Sequence, residues 1–136
     1  MRRLLAAVAA ACALPLAAPT ASATPIVAAP PYVDHVEWAK WGDLSSLRVY
    51  PTSSGRGLSG MPGSRAQADE AWAEVLTLSP DAAIPGMWEQ FICHWQFAEL
   101  VEPGKVSWNL EPWRPEVSED QMISAGCNPG GTEEPF

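Results

Sequence analysis

The sequence predicts a small single domain of α+β class, with two or three helices packed on a short, mainly antiparallel sheet and one disulfide. Three observations carry this. Two stretches alternate apolar and polar residues with the period of a strand, and two others repeat apolar residues with the period of a helix. Two cysteines remain once an N-terminal export signal is set aside. Helical and strand-like segments interleave without an internal repeat, which argues for one mixed domain.

The first residues set the compartment. Arg2 and Arg3 precede the apolar run "LLAAVAAACALPLAA", and "ASA" at Ala21 to Ala23 supplies the small residues a signal peptidase needs. The expected organisation is therefore a signal peptide over 1–23, a Pro/Ala linker over 24–33, the folded domain over 34–128 and a flexible polar tail over 129–136. The apolar run is short for a bilayer span, so no integral membrane segment is expected after its removal. The alternative is a lipid anchor through Cys12. Against it, Ala9 rather than leucine stands three residues earlier, and the apolar run continues past the cysteine.

Val36, Trp38 and Lys40 alternate against Glu37, Ala39 and Trp41; Gly42-Asp43 then break the run, and Leu47 and Val49 alternate against Arg48 and Tyr50. This pattern predicts a hairpin. Ser53 to Ser64 reads as loop, because four glycines and Pro62 oppose a regular element. Ser64 is placed to cap a helix starting at Arg65, in which Ala68, Ala71, Trp72, Val75 and Leu76 recur at helical spacing. Pro80, Pro85 and Gly86 mark a second loop. A second helix is expected over Met87 to Leu100, with Met87, Trp88, Phe91, Ile92, Trp95 and Ala98 on one arc and Gln90, Cys93, His94 and Phe97 on the next.

In "KVSWNLE", Val106, Trp108 and Leu110 alternate against Ser107, Asn109 and Glu111, which predicts a strand with one apolar face and with Asn109 and Glu111 projecting together from the other. Pro112 and Pro115 end the ladder and leave Trp113 and Arg114 in an extended segment. Ser118 to Gln121 fits a capping box, and a short helix should run to Ala125, with Gly126 ending it just before Cys127. Cys93 and Cys127 are expected to pair in an oxidising compartment, and no CxxC spacing points to redox chemistry.

Asp and Glu number 16 against 8 Lys and Arg, a net charge of −8, and no basic cluster occurs beyond the signal. Nucleic acid and anionic membrane surfaces are therefore excluded as partners. His35 and His94 are the only histidines and neither has a paired-ligand spacing, so neither a metal nor a cofactor is expected. No GxSxG or P-loop is present.

Gln90 and His94 lie one turn apart on a helix that should be buried, and their nearest polar neighbours in sequence are Asn109, Glu111 and Arg114. One reading is a structural polar network. The other is a site. In a binding module, Arg56, Trp113 and Arg114 would present a surface to a cell-envelope glycan or protein, with Gln90 and Asn109 as further ligand contacts. In a small secreted hydrolase, Gln90, His94, Asn109 and Glu111 would line a cleft, with His94 and Glu111 as acid and base. The binding or structural reading, at or outside the cell envelope, is the leading one.

The segments "LRVYPTSSGR", "AWAEV", "PGMWEQFICHWQFAEL", "SWNLEPWRP" and "AGCNPGG" resemble the secreted actinobacterial family catalogued as domain of unknown function 2599, over roughly Asp34 to Gly131. The resemblance implies export. It carries over no activity, cofactor or partner.

Overall fold

Strands β1 (Val33–Trp41) and β2 (Leu44–Pro51) form the hairpin that the alternation predicts. Their register sets Val36 opposite Val49 and Trp38 opposite Leu47. A third strand, β3 (Trp108–Leu110), pairs antiparallel with β2, with Leu47 opposite Leu110 and Val49 opposite Trp108, giving the order β1-β2-β3. Leu47, Val49, Trp108 and Leu110 thus share one face of the sheet, and all four are fully buried. Val106, expected on that same face, is 72% exposed, because the ladder begins only at Trp108. In this computed structural model the described residues are 16–20 and 28–131. Residues 1–15, with Cys12, and 21–23 of the expected signal peptide, residues 24–27 of the expected linker and residues 132–136 of the expected tail lie outside them.

Among the described residues four α-helices accompany the sheet: α1 (Ser53–Leu58), α2 (Arg65–Leu78), α3 (Met87–Val101) and α4 (Glu119–Ser124), with a 3-10 turn at Pro80–Ala82. Helix α1 corrects the expectation of a loop. Thr52 caps it by accepting the Gly55 amide at 3.0 Å, and a Cβ on Gly55 would collide with the Tyr32 carbonyl oxygen. The glycine that argued against a helix is there because the helix lies hard against the backbone of Tyr32, just before β1. That contact is long-range and leaves no local pattern.

Helix α2 buries Ala68, Ala71 and Val75, with Trp72 and Leu76 packed against the same core. Ser64 does not cap it as expected. Its hydroxyl donates to the Met61 carbonyl at 2.9 Å and accepts the Trp95 indole N–H at 2.9 Å, so it serves a core tryptophan instead. From α3, Met87, Phe91, Trp95 and Ala98 enter the core, where Trp95 and Trp108 meet edge-on with centroids 6.1 Å apart. Such aromatic pairs add about 0.5–1.5 kcal/mol beyond area burial.

Helix α4 starts with the expected capping box between Ser118 and Gln121. Gly126 and Cys127 follow in left-handed conformation, φ 58° and 68°, and the Cys127 amide closes on the Met122 carbonyl at 3.0 Å. This reversal brings Cys127 to Cys93 of α3 in a disulfide that closes a separation of 34 residues. In the chain-entropy model such a bridge stabilises the fold by about 4 kcal/mol. It also anchors α4, which packs on α3 through a small cluster of Cys93, Met122 and Cys127.

Order extends past both expected domain edges. Tyr32 and Val33, on the linker side of the expected boundary, are buried, and both backbone amides donate to the Glu74 carboxylate, at 2.8 and 2.7 Å. Pro129 and Gly131, on the tail side, offer their carbonyls to Arg114. No helix among the described residues is long and apolar enough to cross a membrane.

Candidate functional site

The motif-bearing residues collect at the start of α3 and the end of β3. Gln90 projects from the first turn of α3 and makes a two-way clasp with Glu111: its amide N–H donates to the Glu111 carbonyl at 2.9 Å, and the Glu111 amide donates to Gln90 Oε1 at 2.9 Å. The clasp replaces the β-ladder just where Pro112 would end it. The Glu111 carboxylate accepts Arg114 Nε at 2.8 Å and the Ser46 hydroxyl at 3.0 Å. Arg114 also donates through Nη1 to the carbonyls of Pro129, at 3.1 Å, and Gly131, at 2.7 Å, and its guanidinium lies 4.5 Å from the centre of the Trp113 ring.

All of this is sealed. Glu111 is 2% exposed and Arg114 3%, and Gln90 and Ser46 are buried with them. A carboxylate and a guanidinium taken out of water together need their remaining hydrogen bonds filled, and here Ser46 of β2 serves the carboxylate while the carbonyls of Pro129 and Gly131 serve the guanidinium. Of the two readings of Glu111, a member of a structural polar network and a residue lining a cleft, its burial fits the first. Ser46, its partner, is the β2 residue next to Leu47, and Leu47 pairs with Leu110, so the alternation places Glu111 on the anticipated face. Arg114 and the carbonyls of 129 and 131 close over it.

The other candidates separate. Asn109 is half-buried and accepts the Ser107 hydroxyl at 2.7 Å, without joining Glu111. Arg56 sits in α1 rather than in a loop, where it pairs with Glu99 and donates to the Val106 carbonyl at 3.2 Å. Trp113 is half-buried against Arg114. A joint recognition surface of Arg56, Trp113 and Arg114 is therefore not formed, since both guanidinium groups are engaged inside the domain.

His94 links this network to a second region. Its Nδ1 lies 2.8 Å from the Gln90 carbonyl oxygen, and its ring is buried beside a cleft of about 420 Å³ between the end of α3 and the turn after α4. Phe97, Ala98, Val101 and Ile123 give that cleft its apolar lining, and Lys105 and Asn128 are among its polar lining residues. Neither Glu111 nor Asn109 lines it, so the four-residue hydrolase site is not assembled. Beyond Phe97 a second cleft of about 420 Å³ continues past Leu100 and Met61, and the two share Phe97 and Ile123. Sequence reasoning missed Val101, Lys105, Ile123 and Asn128. The available signal was Leu100-Val101, two bulky apolar residues prolonging α3 beyond its buried arc and left 66% and 81% exposed.

Fold and site together define a small, disulfide-stapled α+β domain in which a sealed polar network stands beside an apolar cleft. The chain belongs to the family described as protein of unknown function (DUF2599), whose pattern matches residues 33–130. It is 62% identical over 107 residues to an uncharacterized protein of Mycobacterium tuberculosis strain H37Rv, covering 79% of this chain and 72% of the relative. An uncharacterized protein of Mycobacterium leprae is 52% identical over 103 residues, covering 76% and 83%. No solved structure matches the chain.

Proposed function

We propose that the chain is an exported binding module, acting at or outside the cell envelope, that receives its ligand in the cleft between α3 and α4. The observation that carries this reading is the division of labour along α3. The acid and base candidates that a hydrolase would use are split, with Glu111 locked to Arg114 under cover and only His94 beside the open cleft. A mostly apolar concavity with a few convergent polar groups is the usual form of a binding site. Export is supported by the Cys93–Cys127 bridge, a feature that persists in oxidising compartments.

Methyl NMR of the purified domain, titrated with a detergent-free envelope extract, tests the reading. Shift changes at Ala98, Val101 and Ile123 are expected. Changes confined to the opposite sheet face, around His35, Trp41 and Tyr50, would move the site elsewhere. Ester or glycoside hydrolysis by the wild type that disappears in His94→Ala would replace the binding module with the enzyme.

A further inference from the structure

We propose, resting on the binding reading above, that the two joined clefts form one trough for a single-chain amphiphile. Its aliphatic tail lies along Phe97 and Ile123, and its head carries a hydroxyl donor and an acidic group. The shape is the first ground. Two cavities of about 420 Å³ share Phe97 and Ile123 in their linings, and the Phe97 ring also packs against the cluster of Cys93 and Met122. Each cavity alone falls in the size range of small-molecule sites.

The polar lining is the second and independent ground. Asn128 donates its amide N–H to the Gly126 carbonyl at 3.3 Å, while its Oδ1 is buried and has no hydrogen-bond partner. A buried acceptor without a donor is costly, and an incoming O–H relieves it. Lys105 lines the same cleft, and its contacts include an ion pair with the exposed Glu102 at 3.4 Å. Pairs of that kind are weak and exchange readily for a better-placed anion. An O–H for Asn128 and an anion for Lys105 describe one head group, and the apolar lining describes what trails behind it.

The probe is a lysophosphatidylglycerol series of increasing chain length, kept below micelle formation. Affinity is read by displacement of the apolar dye anilinonaphthalene sulfonate. Saturable one-to-one binding is expected, tightening roughly fourfold per added methylene while the tail still finds apolar wall, as burial of a methylene implies. Val101→Glu and Ile123→Glu, both at exposed positions, should weaken it about tenfold or more. Lys105→Gln should weaken the lipid but not a long-chain alcohol of equal length. Affinity independent of chain length, or unaltered in Val101→Glu, overturns the proposal. So does a dimer in solution that Val101→Glu dissolves, which would make a second copy the occupant. If the dye binds at the cleft and no amphiphile displaces it, the amphiphile assignment fails while the binding module stands. If the dye does not bind either, both fail.

Discussion

Helix α3 carries Gln90 in its first turn and Val101 in its last, and the fold treats the two ends in opposite ways. At the first end, polar side chains are drawn inside and held by short bonds: Gln90 to Glu111 at 2.9 Å twice, Glu111 to Arg114 at 2.8 Å. At the last end, apolar side chains are left outside, with Leu100, Val101 and Ile123 all exposed around a cleft. The residues that looked most like chemistry close the structure, and the residues that looked like ordinary helix filler stay open. In a domain this small, a buried ion pair is a way of joining strand, helix and chain end where apolar area is short. Polarity in a motif therefore marks a joint as readily as a site.

The comparison breaks most sharply at Glu111. Replacing it with alanine leaves Arg114 buried without its counter-charge and Ser46 without its acceptor. Removing one partner of a buried pair typically costs about 3–5 kcal/mol. Glu111→Ala should therefore lower the urea midpoint by that equivalent at unchanged slope, and loosen the chain around Pro129 and Gly131 as read by amide exchange. Stability within about 0.5 kcal/mol of wild type, the range of ordinary surface substitutions, would show that the network is not the joint described here.

The fold was legible where order is local. The hairpin, α2, α3 and the capping box of α4 follow from periods and caps within a few residues of each other. Helix α1 was not, because Gly55 answers to Tyr32, a residue on the other side of the hairpin. The site was legible in part. Gln90 and His94 were expected to be buried together with partners near Glu111 and Arg114, and the network contains them. Its closure was illegible: the carbonyls that cover Arg114 come from residues 15 and 17 positions later, beyond a helix and a disulfide. The cleft was illegible for the same reason, since its second wall is the chain after α4, which the Cys93–Cys127 bridge ties to α3.

His94 sharpens the comparison because it touches both regions. Its ring accounts for the hydrogen bond to the Gln90 carbonyl and borders the cleft. His94→Ala should lower stability by about 1–3 kcal/mol, the usual cost of orphaning a buried partner, and so less than Glu111→Ala. Heat denaturation followed by circular dichroism measures it. A loss equal to that of Glu111→Ala would mean that the imidazole belongs to the ion-pair joint itself. No loss at all would free it for the cleft.

The smallest effect comes from a polar group of the opposite kind, one left in water. Trp38 of the edge strand donates its indole N–H to the Ser79 hydroxyl at 2.9 Å, and that hydroxyl in turn donates to the exposed Asp81 carboxylate. The Ser79 hydrogen bond is the main cause holding the Asp81 carboxyl below its ordinary range, against a smaller opposing push from burial. A carboxylate more acidic in the folded chain than in the unfolded one favours folding above the unfolded pKa, and that contribution is lost as pH falls through the folded pKa. Wild type should therefore exceed Asp81→Asn in stability near neutral pH, and the difference should shrink once the pH drops below about 4, where free aspartate takes up its proton. Because Asp81 is exposed, solvent screens the interaction and the effect is modest beside that of the sealed pair. Urea titrations of both proteins at a series of pH values measure the difference directly. A gap that stays constant or widens on acidification would mean that Ser79 does not favour the ionised carboxylate. It would also mean that the short chain from Trp38 to Asp81 joins β1 to the turn after α2 by geometry alone.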